Sequence, residues 1–117
     1  MNIINLTPHS LNFVNNENNI FKTIASSWQA RARQKDRQVD KIDWIPVYKT
    51  EYWELYYKEN DKEKEIPEEQ EGTIYIVSII TCQAAPDRDD FYIINDLVRG
   101  EDGNIIGAKG LSQNPYA

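Results

Sequence analysis

Gly72-Thr73-Ile74-Tyr75-Ile76-Val77-Ser78-Ile79-Ile80-Thr81-Cys82-Gln83-Ala84-Ala85-Pro86-Asp87-Arg88-Asp89-Asp90 is the stretch on which the fold turns. Ile74 to Val77 is β-branched and aromatic, which favours a strand. Apolar residues follow one another there without polar alternation, so this strand is expected to be buried on both faces. Ser78 can accept from the first free N–H groups of a helix, and Pro86 cannot continue one; a short helix from Ser78 through Ala85 follows. The chain then enters Pro86-Asp87-Arg88-Asp89-Asp90, with three carboxylates around one guanidinium. A central strand, a short helix and a charged loop are a common way of presenting a site.

Upstream, Asn2 to Leu6 reads as a first strand, broken at Thr7-Pro8-His9 because the residue before a proline avoids helical dihedrals. Ser10 to Val14 alternates polar and apolar, and Ile20 to Ile24 returns as its hairpin partner across an asparagine-rich turn. Trp28 to Arg33 suits a strand with a basic outer face, although its residues are also good helix formers. Gln34 to Asp40 is expected to be a charged loop. Trp44 to Tyr48, with Pro46 at an edge position, and the aromatic Tyr52 to Tyr57 are further strands. Lys58 to Glu65 has no apolar anchor and reads as a mobile hairpin tip or loop.

Downstream, Phe91 to Ile94, a short Leu97 to Arg99, and Ile105 to Ala108 are strands; Asp102-Gly103 is a strong hairpin-turn signal between the last two. Gly107 and Gly110 mark bulges or close backbone approaches. Ser112 to Ala117 is a polar tail. About eight short strands and one helix give a mostly β (α+β) chain. The expected architecture is one domain over residues 1–117, a small antiparallel barrel or curled sheet with one short helix.

Composition narrows the functional classes. The 117 residues include thirteen aromatics, enough for a core, and a formal charge of −6. Residues 1–40 carry five bases and three acids; residues 41–72 carry five bases and ten acids. General nucleic-acid binding needs clustered bases and is not expected. No apolar run approaches the length of about eighteen residues that a membrane helix needs. Met1 to Leu6 has no basic leader, and Cys82 is a lone cysteine; both fit a cytoplasmic chain without disulfides.

Asn5-Leu6-Thr7-Pro8-His9, Ile45-Pro46-Val47 and Glu71 through Ser78 also occur here together with Arg88-Asp89-Asp90, Val98-Arg99, Asp102 through Gly107, and Leu111-Ser112. In this order they resemble a family of small phage, prophage and bacterial proteins with an Asn-Leu-Thr-Pro-His start and a Tyr-Ile-Val-Ser core. The resemblance covers most of the chain and is loose over residues 15–44 and 54–66. It implies a phage or mobile-element setting in the host cytoplasm, where small accessory proteins often counter defence, and it implies no particular activity.

The candidate ligand-binding residues are His9, Arg31, Arg33, Arg88, Asp89 and Asp90. Arginines suit phosphate or carboxylate, and an aspartate suits a ribose hydroxyl. The bland alternatives are a turn residue for His9, a solvated strand face for the arginines near residue 31, and a loop-ordering clamp for Arg88. The aromatics Trp44, Tyr48, Tyr52, Trp53, Tyr56 and Tyr57 suit either core or a binding surface. One histidine and one cysteine cannot make a closed zinc site, and no cofactor is expected. No nucleophile motif, phosphate loop or triad is present, so catalytic residues are not assigned.

Three expectations follow. The first is a non-enzymatic phage-type protein that sequesters a nucleotide-like signalling molecule. The second is a protein-interaction module whose acidic Glu51–Glu71 region covers a basic site on a host protein. The third is a hydrolase using Asp87, Asp89 and Asp90 with a metal. A homo-oligomer is compatible with each.

Overall fold

The structure, a computed structural model, describes residues 1–117. Nine strands and one helix form two sheets. The strands are β1 (Asn2–Asn5), β2 (Leu11–Val14), β3 (Ile20–Ile24), β4 (Arg31–Ile42), β5 (Ile45–Glu59), β6 (Lys62–Glu65), β7 (Thr73–Ile76), β8 (Phe91–Arg99) and β9 (Ile105–Gln113). The helix α1 (Ile79–Ala84) lies between β7 and β8. The larger sheet has six strands in the order β1-β7-β8-β9-β2-β3, and the smaller has the order β4-β5-β6.

The Ile74–Val77 segment is interior to the large sheet, in keeping with its unbroken apolar character. β7 pairs with β1 on one side and β8 on the other, and Tyr75, Ile76 and Val77 are all buried. Ser78 caps α1 with its hydroxyl accepting from the Thr81 N–H, as its position before the helix demands. Asn18 at positive φ turns the β2–β3 hairpin, and Gly103, at φ 83°, turns β8 into β9. Gly107 is a close approach: a Cβ there would sit 2.8 Å from the Asn12 carbonyl oxygen.

The sheet is mixed and open rather than an antiparallel barrel. β1, β7 and β8 run parallel, as do β2 and β9. Its two edges nevertheless approach each other at one end, through a single bridge between Asn5 and Ser26. Backbone bonds continue the contact past β1, from the Ser27 N–H to the Asn5 carbonyl and from the Ala30 N–H to the Leu6 carbonyl, and the Asn5 side chain adds to it. Its amide donates to the carbonyls of His9 (2.8 Å) and Ile24 (3.0 Å), and its Oδ1 accepts from the N–H and hydroxyl of Thr7. The buried side chain thus ties the end of β1 to the Thr7–His9 turn and to the end of β3.

Two apolar clusters lie on this sheet. Leu6, Ala30, Tyr75, Val77, Cys82, Ala85 and Phe91 form the first, and Trp28, Leu55 and Ile66 pack against it from the base of the second sheet. Phe13, Ile76 and Ala108 form the other, flanked by Ile3, Leu11, Ile24, Ile94 and Leu111, all on the six strands themselves.

The charged segment Gln34 to Asp40 is strand rather than loop. It belongs to β4, which pairs with β5 in a long antiparallel arm. Its polar side chains find partners across the ladder: Thr50 donates to Asp36, and Arg37 pairs with Glu51. Lys58 to Glu65 is a hairpin tip, with Asn60 and Asp61 in the left-handed region and Lys62–Glu65 paired back onto β5. Trp28 precedes the strand and stacks on Tyr57 with 3.7 Å between ring centroids. Leu97 to Arg99 continues β8 past a bend at Asp96, and Ser112 lies within β9 rather than in a tail.

The arm makes the molecule elongated. Its radius of gyration is 16.8 Å, against about 13 Å for a compact chain of this length.

Candidate functional site

The loop from Pro86 to Asp90 is held from three directions. Within it, the Arg88 N–H donates to the Ala85 carbonyl, and the guanidinium grips Asp90 with Nε on Oδ1 and Nη2 on Oδ2, each at 2.8 Å. Nη2 also reaches the Pro67 carbonyl at 3.0 Å, tying the loop to the segment that leads into β7. Asn114, buried after β9, donates to the carbonyls of Ala85 and Arg88. The guanidinium carbon lies 4.4 Å from the centroid of the Phe91 ring, beside Tyr75.

Burial accompanies this network: the Arg88 and Asp90 side chains retain 17% and 4% of their accessibility. The hydrogen bond to Asp90 holds the guanidinium proton still more firmly than usual, against the opposing effect of burial. The Tyr75 phenol is pushed up by burial and by the Asp90 carboxylate.

Beside this loop is an open pocket of roughly 360 Å³. Its walls are Glu54, Leu55, Glu65 and Ile66 from the base of the arm, and Ala84, Ala85, Asp87 and Arg88 from the helix end and loop. A register shift in the β4–β5 ladder makes one wall. Ala32 pairs with Leu55 and Arg33 with Trp53, leaving Glu54 as the extra, bulged residue at φ 37°. The bulge brings the neighbouring Glu54 and Leu55 to the same pocket, where strict alternation would separate them.

The six candidate residues do not form one cluster. Arg88 and Asp90 are joined, as described. Asp89 faces a different recess with Gln113, Asn114 and Ala117. Arg33 pairs with Glu54 and Glu63 and lies 4.7 Å from the centroid of the Tyr56 ring, so its charge is answered at the arm base; the bond to Glu63 is the chief reason its pKa is raised. Arg31 is exposed at the start of β4.

His9 is exposed, and its carbonyl serves the turn by accepting from Asn5 and Thr7. The parallel register places the His9 turn beyond the end of β1, past the level of Ile76, whereas the Arg88 loop enters β8 beside Tyr75. The two turns therefore belong to opposite ends of these strands, which removes a single site shared by His9 and Arg88.

The three aspartates also diverge: Asp90 binds Arg88, Asp87 faces the large pocket and Asp89 the smaller recess. No group of three or more His, Cys, Asp or Glu side chains is arranged to hold a metal ion. No helix is long and apolar enough to cross a membrane. Asn5, Asn114, Glu54 and Glu65 were not among the expected site residues. Their partners or companions come from distant strands, and the only local signal was the acidic character of residues 51–71.

No family model, curated protein or solved structure matches this chain.

Proposed function

We propose that this protein is a non-enzymatic interaction module whose pocket beside the Arg88 loop receives a basic side chain of a partner protein. The observation that carries this reading is the pocket's charge. Glu65 and Asp87 line it without a cation bound to them, Glu54 lines it while paired with Arg33, and its one cation, Arg88, is already committed to Asp90 and Pro67. Leu55, Ile66, Ala84 and Ala85 supply an apolar floor along which the stem of a lysine or arginine could lie. The acidic surface from Glu51 to Glu71 extends the same field and would steer a basic partner toward it. In the phage setting that the sequence resemblance implies, the partner would be a host defence protein.

A nucleotide-like ligand fits this pocket less well, because its phosphates would meet the unpaired Glu65 and Asp87 carboxylates and find no free cation in the lining. Calorimetric titration with an arginine-rich peptide, set against a cyclic dinucleotide, tests the two readings. Saturable peptide binding that weakens with salt, with no nucleotide binding, supports the interaction module. Nucleotide binding without peptide binding overturns it.

A further inference from the structure

The β4–β5 arm has an apolar end with no partner in its own chain. Beyond its base it is a two-stranded ribbon about 30 Å long, and such a ribbon is marginal in water by itself. Val39, Ile42, Trp44, Ile45 and Tyr48 are exposed along its outer part, and Trp44 at the apex is 89% exposed. The turn itself gives no reason for an indole there. Asp43 and Trp44 have φ of 49° and 69°, a conformation suited to Asn or Gly and unfavourable for a bulky residue.

The same chain carries a complementary concavity. The gap between the two edges of the six-stranded sheet opens into an apolar hollow of roughly 270 Å³. Ile3 comes from one edge, Phe21 and Ile24 from the other, and Phe13 and Leu111 from the strands between. Lys22 and Lys109 line it as well, and neither is paired with a carboxylate. The arm apex brings Asp40 and Asp43 beside Trp44, together with Lys41. The outer arm as a whole is balanced, with Lys35, Arg37, Lys41 and Lys49 against Asp36, Asp40, Asp43 and Glu51. It can therefore approach another copy of this acidic chain without the repulsion that the Glu51–Glu71 region would meet.

We propose that two copies of this chain associate by exchanging arms, each placing Trp44 and Ile45 in the other's sheet hollow, with Asp43 and Asp40 meeting Lys22 and Lys109. Reciprocal exchange satisfies both arms and both hollows and closes the assembly at two chains. This surface is separate from the acidic pocket, so either proposal can fail without the other.

Sedimentation of the full chain over a concentration series tests the exchange. The wild-type protein is expected to sediment as a concentration-dependent dimer. Trp44→Gly places in the turn a residue that its dihedrals favour, so it should stay folded and become monomeric. Lys22→Glu with Lys109→Glu should also be monomeric. An equimolar mixture of that variant with Trp44→Gly keeps one intact arm and one intact hollow, and should recover weak hetero-association. Asp40→Lys with Asp43→Lys should restore the dimer when added to the lysine-reversed chain. A wild-type monomer at every concentration, or a Trp44→Gly variant that still dimerises fully, overturns the proposal and leaves the arm to a different protein.

Discussion

Arg88 and Asp90, two residues apart, are locked in a bidentate pair with both bonds at 2.8 Å, and the same guanidinium reaches back 21 residues to the Pro67 carbonyl. The pair joins the segment leading into β7 to the loop leading into β8, two neighbouring interior strands of the large sheet. Its position assigns Arg88 to the architecture, with the proposed binding pocket alongside.

Arg88→Ala should therefore destabilise the fold by about 3 kcal/mol, because it leaves the Asp90 carboxylate buried without its partner. Arg88→Lys should recover only part of this, since an ammonium cannot make the two parallel bonds. Urea denaturation measures both. An Arg88→Ala midpoint equal to wild type would show that the clamp is dispensable.

Asn5→Ala should cost about 3 kcal/mol, by stranding the carbonyl of Ile24 and the N–H of Thr7 where the sheet edges meet. Hydrogen exchange should then accelerate in β3 and at Ser26 before it does so in β7. Uniform acceleration across all strands would contradict the local role given to Asn5.

The readable parts of this fold were those with short-range causes. Ser78 caps the residues directly after it, and Asp102-Gly103 turns the strands directly beside it. Only one side of the outer arm, Gln34 to Asp40, reads as loop, because Asp36 and Arg37 look solvated in isolation; their partners, Thr50 and Glu51, are fourteen residues away along the chain. Parallel pairing of β1 with β7 joins the chain's first residues to its centre, and nothing local in Asn2–Asn5 encodes a direction. The site was legible only in part. Arg88 and Asp90 are two residues apart, close enough for a loop clamp to stand as the alternative to ligand binding, but Glu54 enters through a bulge and Asn114 through a long-range contact. Residue type alone fixes neither.

Cys82 gives a pH dependence. Burial pushes its thiol up to about 11 from the ordinary 9.0, since a thiolate would be desolvated there. The neutral thiol's contribution to stability is whole below pH 9, falls as the pH climbs, and is gone above about pH 11. The loss is on the order of 2–3 kcal/mol. Cys82→Ala should flatten the alkaline limb of the stability curve, with the remaining slope coming partly from Tyr75. Iodoacetamide should label Cys82 at neutral pH no faster than the protein opens. Rapid labelling of the folded chain would contradict its burial.

Affinity of the triple variant Glu54→Gln, Glu65→Gln, Asp87→Asn for an arginine-rich peptide, measured beside wild type at low salt, tests the central claim most directly. Each exposed carboxylate contributes up to about 1 kcal/mol, so the variant should stay folded and bind roughly ten- to a hundredfold more weakly, with a smaller salt dependence. A triple variant that binds the peptide as tightly as wild type would contradict the assignment of this pocket as the interaction site.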